Sequence, residues 1–436
     1  MARRREVFRI RVSRSATAII ATFLLSAAPG PVAAADTPDA TDQLPSIPGL
    51  TPSLVYTGAG FANLGGGVRA GGTYTGNLSL SLAFDGGPLY GWSDTLLYAD
   101  ALWIHGGQPS NFIGDAQGVS NISAPSAVKL YEAWVQKNFL GNQISALAGL
   151  YDLSSEFYRL QSAGLFLNSS FGTGPEFSFS GVEGPSIFPN TSVGARFAFA
   201  APALGLVVRS AILDGVPVDR PNGSRAVFKA GDGVLVVAEA EFLDRPGMSG
   251  PPPHGRSGLG RQADLTPYDN KLAIGGWYYS AAFDDLVEVE PNGQPVRHRG
   301  SSGFYALLDR VLFKVPEHPE QVITGFVQAG YGDLRVNRFG VYVGAGLTAV
   351  GMIAGRDTDT LGLAVAYARN GSHYVSAQRM QGIPVTAAET AFEITYSTQL
   401  TKWLAVQPDL QYIIAPDTNR TIPNAFAFQL RFAIAF

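Results

Sequence analysis

The chain has 436 residues and no cysteine, so neither a disulfide framework nor a thiolate metal site can hold it together. Its formal charge of −4 becomes −9 once residues 1–35 are set aside, because they carry six Arg and one Glu and leave 25 basic against 34 acidic residues. That balance argues against nucleic acid as a partner, and no stretch past residue 35 approaches the ~18 consecutive apolar residues of a membrane-spanning helix.

Residues 1–35 have the pattern of a secretory signal. Arg3, Arg4, Arg5, Arg9, Arg11 and Arg14 make a basic start, Ala16 to Ala28 an apolar core too short for a permanent anchor, and Ala33-Ala34-Ala35 a small-residue cleavage site. Residues 36–55, with Pro45, Pro48 and Pro52 among Asp and Thr, are expected to form an irregular periplasmic lead-in. A chain exported without a helical anchor is either soluble or a β-barrel of the outer membrane.

From about Tyr56 onward the dominant signal is alternation. Leu78, Leu80, Leu82 and Phe84 alternate with Ser79, Ser81 and Ala83, and Val193, Ala195, Phe197 and Phe199 with Ser192, Gly194 and Arg196. Val234, Val236, Ala238, Ala240 and Phe242 alternate with Leu235, Val237, Glu239 and Glu241. A period of two segregates the two sets onto opposite faces of a strand. A carboxylate facing lipid near the midplane costs up to ~2 kcal/mol, so Glu239 and Glu241 are assigned to the lumen. The closing stretch repeats the pattern with Phe426, Phe428, Leu430, Phe432, Ile434 and Phe436 on one face and Ala427, Gln429, Arg431, Ala433 and Ala435 on the other. Its terminal Phe resembles the recognition signal read by the barrel-assembly machinery.

Further strands are expected at 95–104, 129–139, 143–152, 204–213, 271–283, 303–315, 321–331, 339–349, 361–369, 388–400 and 404–414, separated by turn residues such as Asp214-Gly215, Pro316 and Asn370-Gly371. The 401 residues after position 35, at roughly 25 per strand and connection, support about 16 strands. The fold class is therefore all-β: residues 56–436 form one transmembrane antiparallel β-barrel with long extracellular loops and short periplasmic turns. Residues 105–128 and 247–264, rich in Gly and Pro, are the expected long loops, lying outside or folding inward to narrow the pore.

Several runs carry a resemblance to a known family. They are Leu130-Tyr-Glu-Ala-Trp134-Val-Gln136, Ala148-Gly149-Leu-Tyr-Asp152, Phe166-Leu-Asn168-Ser169-Ser170-Phe171-Gly172 and Gly355-Arg356-Asp357-Thr-Asp359-Thr-Leu-Gly362. Near the end stand Glu393, Tyr396, Trp403, Gln407-Pro408-Asp409-Leu-Gln411-Tyr412 and Pro416. In this order they resemble the carbohydrate-selective porins, the OprB-type channels of Gram-negative outer membranes, over most of residues 55–436. The resemblance implies passive diffusion of mono- or oligosaccharides into the periplasm, and it marks Asp152, Arg356 and Asp359 as motif residues. Periodicity alone leaves a general or anion-preferring porin open as an alternative, with a homo-oligomer possible.

A sugar channel needs donors and acceptors that replace water, and flat rings for the apolar faces of the pyranose. Candidates for the lumen are Glu132, Trp134 and Gln136 on one strand face, Arg196 and Arg209, Glu239 and Glu241, Arg310 on a face shared with Lys314, and Arg431. A tight turn near Pro202 would set Arg196 directly opposite Arg209, with Glu239 and Glu241 supplying the countercharge. The competing reading of each is a wall ion pair that touches no solute. Trp134 serves equally as a stacking ring or as an interfacial girdle Trp. For Arg356 and Asp359 a turn-stabilising role is preferred.

No cofactor or metal is implied. The five histidines show no pair at ligand spacing, and Asp357-Thr-Asp359 lacks the remaining ligands of a calcium loop. A lipase-like barrel enzyme is the reading from another class, but His105-Gly106-Gly107 has no Gly-x-Ser-x-Gly elbow to serve it, and no catalytic residue is assigned.

Overall fold

A computed structural model describes residues 47–217, 228–244 and 268–436. The expected signal segment, most of the lead-in and the Pro-rich run 247–264 lie outside the described residues. Sixteen antiparallel strands close into a barrel. They are β1 (Leu50–Gly65), β2 (Gly71–Asp85), β3 (Thr95–Gly106), β4 (Ala127–Phe139), β5 (Ile144–Tyr151), β6 (Ser192–Ala201), β7 (Leu206–Asp214) and β8 (Val234–Leu243). The second half is β9 (Asn270–Val289), β10 (Pro295–Val315), β11 (His318–Gly332), β12 (Phe339–Val350), β13 (Thr360–Asn370), β14 (Ala388–Thr401), β15 (Leu404–Ile414) and β16 (Ala425–Ala435). Each strand pairs with its sequence neighbours, and β1 pairs with β16 from Val55↔Ala435 to Gly65↔Phe426. Closure leaves no unpaired edge, which a strand in hydrocarbon requires.

β1 begins at Leu50, inside the segment assigned to the lead-in. Leu54 and Phe436 exchange backbone hydrogen bonds of 3.1 and 2.9 Å, so the start of β1 and the end of β16 share one end of the barrel. Tight connections such as 140–143, 202–205, 316–317 and 402–403 gather there, while 107–126, 152–191 and 371–387 leave the opposite end. The first is the periplasmic end and the second the extracellular one. β8 ends and β9 begins at the periplasmic end, with Leu243 paired to Lys271.

The expected facing holds on most strands. Leu80, Leu82, Phe197, Phe199, Phe242 and Phe426 are exposed on the outer face, while Glu239, Glu241 and Arg431 are buried on the inner one. Arg310 is a correction. It is exposed on the outer face of β10 beside Leu308 and Leu312, near the periplasmic end of the strand. A bulge between Val311 and Phe313 then reverses the alternation, so Lys314 faces inward and bonds Asp269 at 2.6 Å. One inserted residue separates the two side chains that strict periodicity had placed together.

The pairing of Arg196 with Arg209 is a second correction. Residues Pro202–Leu204 form a 3-10 turn closed by Gly205 at φ +63, and Ala201 pairs with Leu206. The connection is two residues longer than a two-residue hairpin turn, so Arg196 faces Ala211 and Arg209 faces Ala198. Both arginines still point inward.

The lumen is not uniformly wet. Trp277, Tyr305, Phe326, Phe339 and Tyr342 are buried on the inner face of β9–β12. They pack against the 152–191 segment, with ring centroids 4.3 Å apart for Phe177–Trp277 and Tyr158–Tyr305 and 5.6 Å for Phe166–Phe326. Each such pair adds about 0.5–1.5 kcal/mol beyond its area burial. Gly362 permits the approach on β13, since a Cβ there would meet Leu165 at 2.6 Å and the Phe166 ring at 2.8 Å.

Candidate functional site: a channel narrowed by two inward loops

Of the two loops expected from composition, 105–128 folds inward, but the larger intrusion is residues 152–191. Its entry is fixed by two side chains of the motif runs. Asp152 accepts the Ser154 N–H at 2.9 Å and the Tyr131 hydroxyl at 2.7 Å, while its own N–H donates to Glu132 at 3.0 Å. The chain therefore turns into the barrel as soon as β5 ends.

An irregular segment inside a barrel must find partners for its peptide groups, and the wall supplies them. Tyr158 N–H donates to Glu239 at 2.9 Å, and Ser162 donates to Asp309 through its N–H at 3.1 Å and its hydroxyl at 2.6 Å. Leu167 and Asn168 N–H donate to Glu393, at 2.5 and 3.0 Å. In the 107–126 loop, Ala116 and Gln117 N–H each donate to Glu389 at 2.9 Å. Loop carbonyls are met by wall amides, with Gln407 donating to Leu165 O at 2.7 Å, Gln411 to Val119 O at 2.9 Å and Gln328 to Phe171 O at 3.0 Å. A hydrogen bond contributes about 0.5–1.5 kcal/mol net, and several act together on each loop, so the inward acids and amides fasten them.

The predicted luminal charges join this framework. Glu156, from the inward loop, lies between the two arginines: 2.7 Å from Arg196 Nε and 3.8 Å from Arg209 Nε. Arg196 also donates to Gln136 at 2.9 Å and to the Ser145 hydroxyl at 2.8 Å. Arg209 pairs with Glu241 at 2.6 Å, and Lys271 reaches the same carboxylate at 2.7 Å. Glu239 instead takes Tyr158 N–H and the Tyr305 hydroxyl, the latter at 2.7 Å. Trp134 is only 7% exposed on the inner face, its ring tilted 31° against Tyr98 with centroids 5.1 Å apart and its Nε1 donating to Glu132 at 3.3 Å. It does not lie in the interfacial girdle.

Arg356 and Asp359 sit apart from the lumen, on the periplasmic connection between β12 and β13. They pair at 3.3 Å, and Asp359 accepts the Thr398 hydroxyl at 2.9 Å and the Tyr396 hydroxyl, which braces the turn.

Beside the loops lies a cavity of about 490 Å³. The wall contributes Thr57, Asn77, Ser79 and Arg431, and the inward segments contribute Asn121, Arg159, Ser169, Ser178, Glu183 and Asn190, with the rings of Phe171, Phe179 and Phe188 between them. Arg431 Nη2 donates to Ser120 at 3.3 Å, while its buried Nε has no hydrogen-bond partner among the described residues. Hydroxyls, amides and guanidinium forks next to flat apolar rings can exchange for the hydration shell of a polyol.

Of the predicted luminal residues, Arg431 reaches this cavity; Glu132, Trp134, Gln136, Arg196, Arg209, Glu239 and Glu241 stand behind the loops, and Arg310 faces outward. The sequence reading missed Asn121, Arg159, Glu183 and Asn190, which come from segments without alternation. The available signal was the density of breakers after β5, from Gly164 through Gly172, Pro175, Gly184 and Pro189.

The family model described as "Carbohydrate-selective porin, OprB family" matches residues 69–436. Porin B of Pseudomonas aeruginosa is 23% identical over 419 residues, covering 88% of this chain and 87% of that protein. The high pH structure of Pseudomonas putida OprB is similar with a TM-score of 0.74 at 19% identity, covering 89% of this chain and 94% of that one. The outer membrane channel DcaP of Acinetobacter baumannii has a TM-score of 0.53 at 10% identity, covering 89% and 97%. Both structures share the barrel fold.

Proposed function

The chain belongs to the carbohydrate-selective porin family, OprB, whose members are outer-membrane channels and not enzymes, and from that premise we propose that sugars cross this barrel beside the inward loops, in contact with Arg431 and Arg159. The observation that carries the assignment is the cavity of about 490 Å³ in which two guanidinium groups, several hydroxyls and amides, and phenylalanine rings converge. Its size falls in the ~300–1,000 Å³ range of small-molecule sites. A solute there trades water for many weak contacts and can leave again, as passive transport requires.

In this reading Arg431 acts on solute directly. Glu132, Trp134, Gln136, Arg196, Arg209, Glu239 and Glu241 act through the loop they hold, and Asp152, Arg356 and Asp359 brace its root and a periplasmic turn. The solutes are mono- or oligosaccharides. Lipid covers the outer apolar face, the barrel-assembly machinery engages the exposed Phe436, and residues 1–35 are removed on export. The chain works as a monomer or a homo-oligomer.

The cavity also holds two Arg against one Glu, which favours small anions as a second reading. Liposome swelling separates the two. Neutral monosaccharides should enter at least as fast as acidic sugars of similar size, and Arg431→Ala should slow the neutral sugars severalfold. Rates that follow solute charge alone, unchanged by Arg431→Ala, would contradict the sugar assignment.

A further inference from the structure

The strands β9 and β10 run farther than the sequence pattern predicted, and their ends project beyond the barrel on the extracellular side. Asp285 lies seven residues past Tyr278, an outward aromatic of the same strand, and so beyond the membrane belt. There the fold gathers groups that are remote in sequence. Asp285 and Glu288 come from β9, His298 from β10, and His373 from the first turn of the helix Ser372–Met380 in the β13–β14 connection.

The Asp285 side chain is fully buried, and its Oδ1 accepts the N–H groups of Val287 and Glu288, both at 2.8 Å, which locks its orientation. Its Oδ2 stands 2.8 Å from His298 Nε2, and its Oδ1 stands 2.9 Å from His373 Nδ1. One ligand atom each from Asp285, Glu288 and His298 lie within 4.8 Å of one another.

We propose that this rim cluster is a binding site for a first-row divalent cation of the zinc type, with Asp285, Glu288 and His298 as ligands and His373 as the positioning residue behind Asp285. Bonds of 2.0–2.1 Å in a tetrahedron set ligand atoms about 3.3 Å apart. The cation therefore enters by widening the Asp285–His298 contact by about half an ångström, in place of the proton the two now share. Two carboxylates balance its charge, water completes the shell, and an imidazole with carboxylates selects zinc-like ions over magnesium or calcium. Arg335 is held by Asp333 at 2.7 Å and approaches His298 Nδ1 at 3.5 Å. Metal at Nε2 puts a hydrogen on Nδ1, so the 3.5 Å contact from Arg335 Nη1 must open, on a guanidinium that Asp333 also holds through Nε at 3.0 Å. The bound ion would tie the β9–β10 hairpin, through Asp285 and His373, to the helix Ser372–Met380.

The test uses the full chain, purified without a histidine tag in detergent, and titrated with Zn²⁺ by calorimetry and with Co²⁺ by visible absorption. One Zn²⁺ should bind per chain. His298→Ala and Glu288→Gln should each weaken binding at least tenfold and abolish the absorption bands of tetrahedral Co²⁺, and His373→Ala should weaken it about tenfold. His318→Ala, on a residue that faces Glu320 at the periplasmic end, should change nothing. Heat-modifiable migration on gels verifies that each variant folds. Zn²⁺ uptake that is absent, or that persists equally in folded His298→Ala, would overturn the site.

Discussion

Arg209 illustrates how a charge inside a porin can serve the wall before it serves the solute. Its guanidinium lies 2.6 Å from Glu241 and 3.8 Å from Glu156, and Glu156 belongs to the inward loop. Removing one partner of a buried network leaves the others uncompensated, at a cost of about 3–5 kcal/mol. Arg209→Ala should therefore lower the stability of the detergent-folded protein by roughly that amount in urea titrations. An unchanged midpoint would instead free Arg209 for a role in the pore. Alternation placed Arg196, Arg209, Glu239 and Glu241 on the inner face correctly, because lipid on the other side enforces the period. It could not reveal Glu156, whose segment obeys no period, and the register of the β6–β7 hairpin depended on whether Pro202–Gly205 closes in two residues or four. Arg310 went to the wrong face for a related reason, a bulge that composition does not announce.

At the scale of elements, the strands were legible almost throughout, since each must present an apolar face to lipid over its whole span. The inward loop was not, because its partners are wall residues distant in sequence. Glu393 takes the N–H groups of Leu167 and Asn168, more than two hundred residues upstream. Nothing in either segment alone predicts that contact, although both belong to runs that carry the family resemblance. Glu393→Ala strips two hydrogen bonds from the loop and leaves the barrel ladder intact, so single-channel conductance in planar bilayers should rise severalfold while heat-modifiable migration is kept. Wild-type conductance in that variant would mean that the aromatic packing of Phe166, Phe171 and Phe177 holds the loop unaided.

The described residues form a closed sixteen-strand barrel whose last strand completes the seam with β1, and an exposed Phe436 follows that strand. That ring is 61% exposed and contributes little to packing, so Phe436→Ala should leave refolding in detergent unchanged while reducing outer-membrane insertion in cells severalfold. Loss in both assays would make it a structural residue. The central claim, that carbohydrate passes through the channel beside the inward loops, is tested most directly by ion current through single channels in a planar bilayer titrated with sugar. Mono- or oligosaccharide should reduce the current in a saturable, concentration-dependent manner, and Arg431→Ala should shift the half-blocking concentration upward severalfold. Current indifferent to every sugar, in a channel that still conducts salt, would contradict the account.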